Sequence, residues 1–469
     1  MRQLHISNYS ATRGIPFLPP TPLAPDEDLA PAGTLTVGVD LVHPQSATIL
    51  NKFDKVIYVV QDIREFLWHS VGINLALTKS RPPRPEEIRA LVRDRGALIR
   101  MYWNEQVLSH LLLLGPERLT ILRLEELARD FPAQAQKFAA LTGGSLPSDL
   151  ELDAILDNPT LPARTYRPGN GPQHLGALVE AECLRDCSPT LAMCGYDTSP
   201  GCSGKVVGAP SFTCSAETIR GMLRAKALRP DVANLLMCAV APEKAKTVVV
   251  IPARSGSKRI PDKNIADVCG VPLMALTIRM AKQTPGVDMV VVNTDSPVYA
   301  ELAREHGAQT PFLRPCAISG DDASLGDATE FCLRSLLEAG IHVNKLLTMY
   351  PTSPFRNPET VAAMIAALDT YSLAATALPT TPAWDELYTE TGEGLIPVRN
   401  FLRNAPPSGT LIKQTGAMQG RSYVNTDMGV QFFLLLNPFE CIDVDTPEDL
   451  ELVRRVAAMD QAMQGVAPC

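Results

Sequence analysis

The sequence predicts an α/β protein of two units, each built on a mostly parallel sheet covered by helices. Three observations carry this expectation. The chain has 469 residues, too many for one ordinary core. From Thr247 onward, short apolar runs alternate regularly with amphipathic stretches, the pattern of strand–helix–strand units. Residues 55–127 show a shorter version of the same alternation.

Taken in order, residues 1–35 are proline-rich ("GIPFLPPTPLAPDEDLAPAG") and read as an irregular lead-in. "KVIYVV" (55–60) reads as a buried strand. "EEIRALVRDRGALIRMYWNEQVLSHLLLLG" (86–115) has helical periodicity and stops at a glycine, and "RLTILRLEEL" (118–127) reads as a strand entering a helix. Glycine, serine and proline cluster between Tyr196 and Lys246. The expected domains are therefore residues 1–205, a linker at 206–246, and residues 247–469. In the last, "TVVVIPA", "DMVVVNTD", "KLLTMYPTS", "LAATALP" and "GVQFFLLL" read as strands. The helices are "PLMALTIRMAKQ", "PVYAELAREHG", "GDATEFCLRSLLEAG", "PETVAAMIAALDTY" and, last, "TPEDLELVRRVAAM".

The net charge of −8 disfavours nucleic acid or an anionic membrane as a general partner, so positive charge should act locally. Eleven cysteines at no framework spacing fit a reducing cytoplasm better than a disulfide-built secreted protein. "MRQLHISNYSATRG" has no apolar core of a signal peptide, and no run approaches the roughly 18 apolar residues of a membrane helix. A cytoplasmic protein without membrane or nucleic-acid partners is expected.

Local positive charge is concentrated in "IPARSGSKRIPDKN" (251–264). Arg254, Lys258, Arg259 and Lys263 surround Ser255, Gly256 and Ser257 directly after a strand. In parallel α/β sheets, ligands bind beyond the carboxyl ends of the strands. Small residues let backbone N–H groups approach, and fixed cations suit a polyphosphate. The spacing is not that of a Walker A motif; the competing reading is a solvated, mixed-charge turn. A second signal is "ECIDVDTPEDLEL" (440–452). Asp443 and Asp445 lie two apart on an expected strand and so face one side, where two carboxylates repel unless a cation such as Mg²⁺ sits between them. Thr446, Pro447 and Asp449 read as a helix start. Asp295, after "VVVNT", is either a helix cap or a third functional acid.

The blocks "IPARSGSKRIPDKNI", "VVVNTDSP", "GAQTPFLRPCAISGDDAS", "YPTSPFRNPE" and "IDVDTPEDLEL" occur in the order seen in cytidylyltransferases of acidic sugars, and residues 247–458 resemble that family. The resemblance implies a Rossmann-like nucleotidyltransferase domain that binds CTP and a 2-keto sugar acid and makes a CMP-sugar and pyrophosphate. It implies that Arg254, Lys258 and Lys263 act catalytically on the triphosphate. Ser257, Asn264, Arg314, Asp322 and Ser324 would lie at the nucleotide, and Asp443 and Asp445 would hold Mg²⁺. Tyr350 stands where sialic-acid members carry glutamine, and "NTDMGVQFF" (425–433) is closer to the block of pseudaminic-acid enzymes, so the sugar stays open. The family also implies a homodimer, although the stretch between "QFFLLL" and "IDVDTPEDL" is short for the usual extension.

"KVIYVVQDIREFLWHS", "RLTILRLEELARDF" and, from 167 to 197, "RPGNG" with "ALVEAECLRDCSPTLAMCGYD" resemble the later part of sulfotransferases. Here Gln61 replaces the first arginine of the 3′-phosphate block and His69 the serine eight residues later, while Arg64, Ser70, Arg167 and Gly169 remain. No upstream phosphosulfate loop is present. Each lost charge-assisted contact is worth about 1.5–3 kcal/mol, so a degenerate sulfotransferase-like domain is expected. The alternatives are an inactive nucleotide- or sugar-binding protein, or a sulfotransferase working through this domain. Cys183, Cys187, Cys194 and Cys202, with His174 nearby, match no common metal spacing and read as small buried residues. "MYWNE" (101–105) reads as a helix face on a core.

Overall fold

The structure, a computed structural model, describes residues 4–8, 35–38, 55–68, 71, 83–130, 133–134, 136–137, 171–320, 324–379, 387–391, 394–397, 411–425, 429–435 and 437–463. It divides into two compact units, Met1–Val240 and Ala241–Cys469.

In the first unit, strands β1 (Leu4–Asn8), β2 (Leu35–Gly38), β3 (Lys55–Val60) and β4 (Leu119–Arg123) form a parallel sheet in the order β2-β1-β3-β4. Helix α1 (Pro85–Arg118) breaks at Gly115, whose φ of 69° is left-handed; Pro116 follows, and the helical ladder cannot continue through it. Trp103 of α1 is buried, as expected for "MYWNE", and its Nε1 donates to Gln61 O at 3.1 Å. After α2 (Leu124–Arg129), helix α3 (Ala177–Met193) buries Cys183 and Cys187, and Cys194 follows, also buried. Burial pushes the Cys183 thiol up to about 12 and the other two up as well, so these thiols pack as small apolar groups.

The segment read as a linker is not one. Within it lie α4 (Ala216–Arg224), capped by Ser215 Oγ accepting from Thr218 N at 3.0 Å, and α5 (Pro230–Val240), which packs on α4 and α1. The glycines and prolines that mimic a linker sit in the loop before α4. Gly195 is required there: its φ is 78°, and a Cβ would lie 2.2 Å from Gly208 O.

At the carboxyl ends of β3 and β4, polar groups turn inward. Arg64 pairs bidentately with Asp62 (2.7 and 3.0 Å) and also donates to the carbonyls of Asp197 and Ser199. Glu125, fully buried, accepts from Asp62 N at 2.9 Å and from Tyr196 Oη at 2.6 Å. Burial raises the Glu125 carboxyl to about 7. Its folded pKa exceeds the unfolded one, so between the two values the folded state binds more protons and stability falls as pH rises. The penalty grows from about pH 4.5 to about 7 and is constant above. Glu125→Gln keeps an acceptor for Asp62 N and a polar group for Tyr196 without the charge. We expect it to stabilise the protein at pH 8 by up to about 3 kcal/mol, the difference vanishing near pH 4.5 in denaturant titrations.

The second unit opens with β5 (Ala245–Pro252), which pairs in parallel with β8 (Met289–Asn293) and β9 (His342–Met349). β10 (Leu373–Pro379) and β14 (Val430–Leu434) pair in parallel with each other. Between β9 and β10 runs β13 (Leu411–Ser422), antiparallel to both. The hairpin β11 (Leu387–Thr391) and β12 (Gly394–Pro397) extends from β13, and β6 (Asp267–Val268) pairs with β7 (Val271–Pro272). Most strands of the sheet run in one direction, as expected, while β12 and β13 run against them, which the sequence pattern did not reveal.

The alternation of side chains decides which helix covers which face. Val249 and Ile251 of β5 and Leu347 and Met349 of β9 share a core with α6 (Leu273–Gln283), α7 (Pro297–Glu305) and α9 (Pro358–Ala367). Val250, Leu346 and Thr348 face the other way, toward Ala328 and Cys332 of α8 (Leu325–Glu338). A second, smaller core joins Ile260, Val268 and Leu273 to Val444 and to Leu450 and Val453 of α10 (Pro447–Met463).

Candidate active site

β5 delivers the basic loop at its carboxyl end. The loop leaves the sheet at Ala253, whose N–H donates to Asn293 O on β8 at 3.1 Å. It turns at Asp262, which is left-handed with φ 52° and fixed by Tyr299 Oη donating to its Oδ1 at 2.8 Å. Asn264 is buried and donates from Nδ2 to Arg254 O at 2.9 Å, so it shapes the loop. Gly256 leaves open space: a Cβ there would meet nothing within 4 Å, and the backbone is accessible to a ligand. Ser257 is half-buried, its N–H donating to Ser255 O at 3.0 Å, and Lys258 is exposed.

Asp295 does not cap α7. Ser296 does, its Oγ accepting from Tyr299 N at 3.3 Å. Asp295 instead grips the basic loop, accepting from Ser255 N and Ser255 Oγ, both at 2.9 Å. Arg314 lies behind it. Its backbone N–H donates to Thr294 O at 2.8 Å, its Nε to Ser319 Oγ at 3.1 Å, and its Nη2 stands 4.0 Å from Asp295. That buried Nη2 has no hydrogen-bond acceptor. Burial, together with the charge of Arg254, lowers the Arg314 pKa. Two guanidiniums therefore lie close enough to repel, an arrangement that favours an anion. Ser324 caps α8, its Oγ accepting from Asp327 N at 3.0 Å, and Asp322 lies outside the described residues.

Asp443 and Asp445 are not on a strand: residues 442–445 are irregular. The alternation nevertheless holds, because Val444 is fully buried while both acids are exposed. Val444 N donates to Thr352 O at 2.8 Å, holding the segment extended. Asp445 meets the basic loop directly, with Lys263 Nζ at 3.2 Å and Arg259 Nη1 at 3.5 Å, and Lys263 Nζ also donates to Val444 O at 2.7 Å. The expected helix start is present: Thr446 N and Oγ1 donate to Asp449 Oδ2 at 2.8 and 2.9 Å. Two exposed carboxylates on one side fit a divalent ion that also takes phosphate oxygens. Among the described residues no cluster of three or more histidine, cysteine or acidic groups is placed to hold a metal without such help.

Sequence reasoning gave Arg259 no individual role and did not single out Arg356. Arg259 was legible as a cation of the loop, and its pairing with Asp445 was not. Arg356 is buried, and its donors reach Thr277 Oγ1 (3.3 Å), Ala417 O (2.7 Å) and Tyr350 O. Burial lowers its pKa to about 9, opposed by the charge of Asp443. Tyr350 directly follows β9, and burial raises its hydroxyl to about 12. In the first unit, Arg64 is spent on Asp62 and backbone carbonyls; His69, Ser70, Arg167 and Gly169 lie outside the described residues.

A parallel sheet that gathers cations, small residues and two carboxylates at its strand ends is the ground plan of a nucleotidyltransferase. Residues 248–390 match the Cytidylyltransferase family model. The CMP-N,N'-diacetyllegionaminic acid synthase of Legionella pneumophila is 30% identical over 247 residues, which are 46% of this chain and 98% of that protein. The chain therefore belongs to the cytidylyltransferase family. A pseudaminic acid cytidylyltransferase of Campylobacter jejuni is 37% identical over 24% of this chain and 48% of its own length. An N-acylneuraminate cytidylyltransferase of Escherichia coli is 37% identical over 24% of this chain and 26% of its own.

If Asp295 is what holds the loop, Asp295→Ala should speed amide hydrogen exchange across residues 254–264 about tenfold, at a cost of about 1–3 kcal/mol in stability, while Asp295→Asn, which keeps an acceptor, lies between. Unchanged exchange in Asp295→Ala would show that the loop is held by other contacts.

Proposed function

We propose that the second unit activates a nonulosonic acid, a sialic-acid-like sugar, with CTP. The anomeric hydroxyl oxygen of the sugar bonds to the α-phosphorus, the bond from that phosphorus to the bridging oxygen of the β-phosphate breaks, and pyrophosphate leaves. The hydroxyl proton passes to solvent. The observation that carries this reading is the meeting of the 254–263 loop with Asp445, which sets cations and carboxylates side by side at the strand ends. Such a transfer asks the protein for positioning and charge stabilisation more than for covalent chemistry.

In this reading Arg254, Lys258 and Lys263 hold the triphosphate and offset the charge that develops on the leaving pyrophosphate. The Gly256 backbone admits it closely, Ser257 and Ser324 lie at its edge, and Arg314 sits beside Arg254. Asp443 and Asp445 would hold Mg²⁺, which supplies Lewis-acid charge to the phosphate oxygens. Asn264 acts through the loop it shapes. Tyr350 and residues 429–433 lie toward the sugar. The family relatives named for legionaminic, pseudaminic and neuraminic acids support the substrate class. The reaction would run in the cytoplasm; no helix among the described residues is long and apolar enough to cross a membrane. We read the first unit as a degenerate sulfotransferase-like unit without phosphosulfate turnover, supported by Gln61 in place of an arginine and by the inward use of Arg64.

The test is pyrophosphate release from CTP and Mg²⁺ against a panel of neuraminic, legionaminic and pseudaminic acids, with mass spectrometry of the products. One acid should give a CMP-sugar, and Lys258→Ala should lower kcat/KM by about 10²–10³-fold. CTP binding with silence across the panel would mark a nucleotide-binding protein that has lost turnover.

A further inference from the structure

Asp445 is engaged by cations of the chain itself. Lys263 Nζ lies 3.2 Å and Arg259 Nη1 3.5 Å from its carboxylate, one from each cation to a different oxygen. Lys263 is further tethered to Val444 O at 2.7 Å, and its side chain is only 15% exposed. Asp443, two residues away and also exposed, forms no ion pair with this loop. The acid expected to receive a divalent cation and the cations expected to receive phosphate therefore neutralise each other.

We infer that Asp445 is a charge latch, in which arrival of the triphosphate draws Lys263 and Arg259 off the carboxylate and thereby frees Asp445 for the divalent ion. The inference rests on the reading of this site as a CTP site. Its energetics are those of exchange. The Asp445 side chain is 55% exposed and that of Arg259 71%, and ion pairs of this kind contribute little net stability. A triphosphate offers the same two cations several negative charges and displaces one carboxylate readily. Until then, a divalent ion approaching Asp445 has to compete with two cations already in contact. Binding of nucleotide and of metal are then coupled, and by linkage each tightens the other by the same factor. The latch also keeps a compact cluster of cations from standing unpaired between turnovers.

The latch makes an unusual demand: removing a metal-binding carboxylate should strengthen nucleotide binding when no metal is present. CTP would be titrated calorimetrically into the full chain in EDTA at low salt, for the wild type, Asp445→Asn and Asp443→Asn. We expect Asp445→Asn to bind metal-free CTP about threefold to tenfold more tightly than wild type, and Asp443→Asn to differ by less than about twofold. With Mg²⁺ added, Asp445→Asn should lose most of the tightening seen in wild type. Equal gains in both variants would mean plain repulsion of the triphosphate by acidic side chains, and no gain in Asp445→Asn would mean no competition; either result overturns the latch and leaves the CTP reading intact. Failure of every protein to bind CTP, even with Mg²⁺, would remove the CTP reading itself and the latch with it.

Discussion

Two hydrophobic side chains hold the chemistry of this site in place. Ile260 belongs to the basic loop and Val444 to the acidic segment, and both are buried in the small core closed by Leu450 and Val453. Each is flanked by charged residues that cannot follow it inside: Lys258 and Arg259 on one side, Asp443 and Asp445 on the other. Burying the apolar member of each segment forces the charged members outward on adjoining surfaces. The attraction between opposite charges at an exposed surface is too weak to assemble loops this far apart in sequence. Burial of Ile260 and Val444, each worth about 1.5–3 kcal/mol, supplies the organising energy, and the ion pairs report where it has put them.

The second constraint is charge kept under strain. Arg314 and Arg356 are buried at the carboxyl ends of the strands, each with one guanidinium nitrogen lacking a hydrogen-bond acceptor. Burial lowers the pKa of both. A protein with no use for such groups would replace them, since a buried guanidinium with an unmet donor costs stability. Their position near the basic loop and the acidic segment places fixed positive potential at this end of the sheet. The first unit shows the opposite use of the same residue type: Arg64 has a bidentate carboxylate and backbone carbonyls and projects no potential outward.

Much of this was legible. The strands β5, β8, β9, β10 and β14 and helices α6 to α10 follow from apolar runs, amphipathic stretches and the helix start at Thr446. The basic loop follows from its concentration of cations after a strand. β13 was not legible, because Gly416 and Gly420 interrupt its pattern. Gly420 is there for packing: a Cβ would come within 3.0 Å of Leu368, so the strand gives up a side chain to let that residue sit on it. Helices α4 and α5 were hidden because the turns before them share the composition of a linker. Asp295 was ambiguous because a residue before "SPVYAEL" looks like a cap, and only its distance to Ser255 shows what it grips. Asp443 and Asp445 are both exposed as a strand would have placed them, although the segment is irregular, because the buried Val444 and its backbone bond to Thr352 enforce the alternation.

The capping arrangement after Asp445 has a further consequence. Asp449 accepts from the backbone N–H groups of Asp445 and Thr446 and from the Thr446 hydroxyl, and these bonds hold its carboxyl below the usual range. The corner that presents the two acids is therefore completed by its own helix and asks nothing of a bound ion to keep its shape. In the reading proposed above, chelation or nucleotide starvation would idle the enzyme without unfolding this corner.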